Sequence, residues 1–136
     1  MQGHPTLIDT ATATVERVSP ELIEVRFKPD VKLDVRGLGE IVNAKRTLCG
    51  ADSPDVLAVT PPELDFDLNV LSVDHGKAHG GCSTRRLAFA GQSALNERLA
   101  SLYFSYFPRK YETRVFLEET EARHWLDQRE AVVPVP

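Results

Sequence analysis

The spacing of apolar and polar positions predicts alternating strands and helices along most of the chain. Thr12, Thr14, Val15 and Val18 favour an extended strand. After the turn Ser19-Pro20-Glu21, the segment Leu22–Phe27 alternates. Ile23, Val25 and Phe27 point one way and Glu24 and Arg26 the other, which predicts a half-buried strand folded back as a hairpin on the first. Asp34 is placed to cap a helix running to about Cys49, with Leu38, Ile41, Val42, Leu48 and Cys49 on one arc at helical spacing. Gly37 and Gly39 weaken its first turns by about 1 kcal/mol each relative to Ala, and Gly50 provides a stop.

Two short apolar runs, Val56–Val59 and Leu87–Ala90, predict strands covered on both faces, and Thr113–Leu117 predicts a third inner strand. Residues 65–79 predict an irregular helix carrying Leu68, Leu71 and Val73, ended by Gly80-Gly81. Ser93 is a natural N-cap for the clearest helix, Ala94 to Phe107, closed by Pro108. Leu95, Leu99, Leu102, Tyr103 and Tyr106 form its expected core stripe, and Phe104 falls outside it. A last helix opens with Glu118, Glu119 and Glu121 at its positive end, and Ala122, Trp125 and Leu126 should dock on the sheet. The predicted order is β-β-α-β-α-β-α-β-α. It implies an α/β fold: a mixed, largely parallel sheet opened by a β-hairpin, with right-handed crossovers. Residues 1–10 are expected to be a flexible lead, 11–128 a single domain and 129–136 a frayed tail.

The 136 residues suit one domain with one real core. Sixteen Lys and Arg are scattered among 20 Asp and Glu, a net charge of −4, which argues against nucleic acid as a partner. No apolar run approaches the roughly 20 residues of a membrane span. No signal peptide is visible at the start, so the expected location is the cytoplasm. Cys49 and Cys82 form no CxxC pair and are expected to be free thiols.

The sharpest chemical pattern is His75, His79 and Cys82. Two histidines four residues apart share a helix face, and a thiol three residues on offers a third metal ligand. No fourth ligand is evident beyond Asp74 or the remote His4, and Gly76, Gly80 and Gly81 undermine the helix, so a solvent-facing segment is the simpler reading. Asp65, Asp67 and Glu63 gather charge near a helix start, where complementing the helix dipole explains them without catalysis. Gly91-Gln92-Ser93, with Arg85 and Arg86 nearby, can present donors to an anion, but a cap after a strand accounts for it. No complete catalytic constellation and no cofactor motif appears.

The hairpin Thr12–Phe27, the buried run Val56–Val59, and Arg86–Ala90 followed by a helix ending Tyr103–Pro108 together resemble a known family. So does the ending Thr113-Arg114-Val115-Phe116-Leu117, an acidic stretch, then Ala122-Arg123-His124-Trp125-Leu126. The chain resembles the STAS-like, SpoIIAA-like family of small bacterial domains over about residues 11–127. That resemblance implies a non-enzymatic regulatory role: protein interaction, partner switching, or sensing of a small ligand. Family antagonists carry a phosphorylatable hydroxyl after the third strand, following Asp. The equivalent stretch here starts at Thr60 and has no Asp-Ser-Ser-Gly, so a kinase-driven role is not supported. Ligands of open α/β sheets sit beyond the carboxyl ends of the strands. The expected contact residues are therefore Thr60, Asp65, Asp67 and Ser72, and Phe104 is the expected interface of a homodimer. Two other readings stay open: a small metal-dependent enzyme using His75, His79 and Cys82, and a carrier of an apolar ligand held between helices and sheet.

Overall fold

In the computed structural model, residues 6–75 and 84–128 are described. Six strands form one sheet in sequence order: β1 (Leu7–Asp9), β2 (Ala13–Ser19), β3 (Leu22–Phe27), β4 (Asp55–Val59), β5 (Arg86–Ala90) and β6 (Glu112–Phe116). The first two pairings are antiparallel and the remaining three parallel. The mixed α/β sheet opened by a hairpin is thus present, with Ala13 opposite Phe27 and Val15 opposite Val25. β1 lies within the stretch 1–10 that the sequence reading took as a flexible lead. Leu7 pairs with Glu16, and Thr10 ties the turn by accepting from the Ala13 amide.

Three α-helices accompany the sheet: α1 (Val35–Cys49), α2 (Ala94–Tyr106) and α3 (Glu119–Asp127). Asp34 caps α1 as expected, its carboxylate accepting from the Gly37 amide at 2.7 Å, and Gly50 ends it at φ 56°. Gly37 serves packing: a Cβ there would come within 2.8 Å of the Thr12 side chain, so glycine lets α1 approach β2. Its helix cost is offset by burial of Ile41, Ala44 and Leu48 against Val15, Ile23 and Val25.

The other sheet face is covered by α3. Ala122 and Leu126 meet Leu57, Val59, Ala88 and Ala90, and Trp125 packs on Phe116. Arg86, read from sequence as a solvated strand start, is nearly buried. It pairs with Asp55 at 3.2 Å, lies under Trp125 and donates to the Leu126 carbonyl. The open end of this face carries an ion-pair network. Glu119 accepts from Arg26 at 2.7 Å and from Arg123 at 2.8 Å, and Glu24 accepts from both arginines. These bonds hold the Glu119 carboxyl down to about 2.

Strands laid down in sequence order with right-handed crossovers put every connection between parallel strands on one face. α1 and α2 share that face, and the connection between them, read as an irregular helix over 65–79, is helical in part of its described residues. Among the described residues of this connection, Leu68–Ser72 form a short 3-10 turn capped by Asp67, His75 is helical, and the stretch before the turn runs as an irregular strap tied to Leu33 through Phe66. The predicted stretch 76–79 and its Gly80-Gly81 stop lie outside the described residues.

Two further corrections follow from how α2 sits. Leu95, Leu102 and Tyr106, expected in the core, are 64%, 52% and 79% exposed. Phe104, expected outside the stripe, is half-buried with its ring 6.1 Å from Phe89. The helix is rotated because its buried anchor is Asn96, a polar residue that no hydrophobic count includes. β5 is also not covered on both faces: Ala88 and Ala90 are buried, whereas Leu87 and Phe89 are half-buried. Finally, Cys49 is disulfide-bonded, which corrects the expectation of two free thiols, and Cys82 lies outside the described residues.

Candidate functional site

A cavity of about 1090 Å³ lies between α1, α2 and the sheet. Val25, Val56, Ala58, Leu87 and Phe89 form its floor, which explains why Leu87 and Phe89 are only half-buried. Leu38, Ile41 and Val42 of α1 and Leu99, Tyr103 and Phe104 of α2 form facing walls. Leu64, Phe66, Val70 and Leu71 of the strap close over it. The volume is at the upper end of drug-sized ligand pockets, ~300–1,000 Å³. The space is open along part of its boundary, so solvent or a ligand can enter it.

Polar groups gather at the amino ends of β5 and β6. Lys45, near the C-terminal end of α1, reaches the Thr84 hydroxyl at 3.4 Å. Arg109 pairs with Asp74 at 3.0 Å and lies 5.6 Å over the Tyr103 ring and 5.3 Å over Phe104. The Tyr103 hydroxyl donates to the Val73 carbonyl at 2.7 Å and accepts from the His75 amide at 3.0 Å. Burial, reinforced by the Arg109 charge, lowers Lys45 to about 8. Burial also pushes the Tyr111 hydroxyl up, against hydrogen bonds with Arg109 and Thr84 that draw it down. Burial opposes the Arg109 charge as well, but Tyr103, Tyr111 and Asp74 outweigh it and raise its pKa.

The residues singled out from sequence are placed differently. Thr60 is 1% exposed. Its hydroxyl donates to the Gly91 carbonyl at 2.7 Å, and the Asn96 amide donates to the same carbonyl at 2.8 Å and to Pro61 at 3.0 Å. This buried node staples α2 to the carboxyl ends of β4 and β5, and its bonds are all internal. Asp65 is exposed on the strap, Asp67 caps the 3-10 turn, and Ser72 donates back to the Asn69 carbonyl. The structure does not bring these into one site with Thr60. His75 is buried and helical at the edge of the described residues, with its Nε2–H donating to the Val70 carbonyl at 2.9 Å. His79 and Cys82 lie outside the described residues. Among the described residues, no cluster of His, Cys, Asp and Glu is arranged to hold a metal.

Lys45, Arg109 and Tyr111 were missed by sequence reading. Lys45 occupies the apolar arc of α1, four residues after Ile41, and that misplaced charge was the available signal. Arg109 and Tyr111 follow Pro108 in a loop without periodicity.

No family model and no curated protein matches the sequence. Among solved structures, the chain is similar to an uncharacterised protein of the DUF3478 family with a SpoIIAA-like fold from Shewanella loihica PV-4. The identity is 20%, the match covers 84% of this chain and 91% of that one, and the TM-score is 0.49. The architecture of the present chain stands on its own strand order and register.

Proposed function

We propose that this protein is a non-enzymatic binding module that holds a small, largely apolar molecule between α1, α2 and the sheet. The observation that carries this reading is the cavity of about 1090 Å³ with its apolar floor and walls. A ligand bound there touches both helices and the strap at once, so its presence can be read on the outer surface by a partner. Native mass spectrometry of freshly purified protein, together with titration by the uncharged fluorophore N-phenyl-1-naphthylamine, tests it. Saturable binding is expected, lost by at least about tenfold in Ala100→Trp, which places an indole in the cavity from α2. Absence of both a retained mass and saturable probe binding by the wild type overturns the reading.

A second reading, contact with a protein partner or a second copy, draws on the outer face of α2. Leu95, Leu102 and Tyr106 recur at seven and four residues and form one exposed apolar stripe. Light scattering of the wild type and of Leu102→Glu separates this reading: a dimer that the charge disperses supports it, and a monomer in both removes the homodimer.

A further inference from the structure

The sign of the charge inside the cavity is opposite to that of the chain. The whole sequence carries a net charge of −4. Among the described residues lining the cavity, the cations are Lys45, Arg109 and Lys110, and the one carboxylate is Asp74, already directed at Arg109. Thr84, Tyr103 and Tyr111 add hydroxyls to the same end. An ammonium has three hydrogens to donate, and the described contact of Lys45 uses one of them, on a hydroxyl at a long 3.4 Å. No carboxylate among the described residues lies within ion-pair distance of it, so among them its half-buried charge has no counter-ion.

Resting on the reading of the cavity as a ligand site, we infer that the ligand is a single-chain apolar molecule with one compact anionic head. Its head is seated at Lys45, beside Arg109, Thr84 and Tyr111, and its tail runs along Val56, Ala58 and Phe89. The arrangement supplies the two things such a molecule needs. The floor removes the chain from water. The polar end gives the head charge-assisted bonds in a setting of low dielectric, where they are stronger than at the surface. The same burial that lowers Lys45 leaves it protonated at neutral pH, and a seated anion supplies the counter-charge that the wall lacks. The head is a carboxylate or a phosphate, since both fit a cationic end of this kind.

Displacement of N-phenyl-1-naphthylamine from the full chain by dodecanoate, dodecyl phosphate, dodecanol and dodecyltrimethylammonium tests the inference. These share one tail and differ in the head. An anion is expected to bind at least about tenfold more tightly than the alcohol, and the cation more weakly than either. The better of dodecanoate and dodecyl phosphate names the head. In Lys45→Met the preference for the anion over the alcohol should collapse while the alcohol's affinity stays, and Lys45→Arg should restore it. Equal binding of anion and alcohol by the wild type overturns the anionic head and leaves the apolar site standing. Failure of all four, with no probe binding, overturns both. The ligand series on the wild type decides the matter even where a variant does not fold.

Discussion

A charge placed for binding should be a charge that weakens the fold, and Lys45 allows that cost to be measured. Its folded pKa is lowered from 10.5 to about 8, chiefly by burial. The sign follows from proton uptake. Below pH 8 both folded and unfolded chains hold the proton, and the full penalty of keeping an ammonium in the cavity wall is present. Between pH 8 and 10.5 the folded state releases the proton first, so stability rises with pH. Above 10.5 both states are neutral and the penalty is gone. The depression corresponds to at most about 3 kcal/mol, and solvent reaching part of the side chain sets the expected range at about 1–3 kcal/mol. Lys45→Met keeps the length and removes the charge. In urea titrations of ligand-stripped protein at pH 7 its midpoint should lie above that of the wild type by up to roughly 1–2 M, with an unchanged slope. The gap should narrow as the pH is raised from 8 towards 10.5. A variant less stable than wild type at pH 7, or a gap that does not depend on pH, refutes the view of Lys45 as an uncompensated charge.

Other outcomes follow from the same structure. Thr60→Val should cost about 1–3 kcal/mol by removing the buried donor to the Gly91 carbonyl. Equilibrium unfolding checks this, and unchanged stability would refute the role of Thr60 as a staple between α2 and the strand ends. Glu119 is held down to about 2 by Arg26 and Arg123, so the stability it contributes is present above pH 4.5 and lost as pH falls towards 2. Glu119→Gln should remove part of that acid dependence, on the order of 1 kcal/mol once solvent screening of this surface network is allowed for, seen as a flatter plot of unfolding free energy against pH below 4.5.

The sequence by itself determined the elements whose signals are local. The hairpin Thr12–Phe27, the Asp34 cap, the Gly50 stop, the buried run at β4 and the docking residues Ala122 and Leu126 all stand where periodicity and capping chemistry put them. Each depends on neighbours within a turn or a strand, and so does the order of elements that makes the mixed sheet. Tertiary structure decided the rest. Which face α2 presents was set by Asn96 bonding to Gly91, Pro61 and Thr60, contacts 5 to 36 residues away that turned Leu95 outward and Phe104 inward. The space between α1, α2 and the sheet depends on how these separate segments pack against one another. Lys45, Thr84, Arg109 and Tyr111 come from three separate stretches of chain and meet only when the parallel strands align their amino ends. A cavity has no sequence pattern of its own, because it is defined by what distant segments fail to fill.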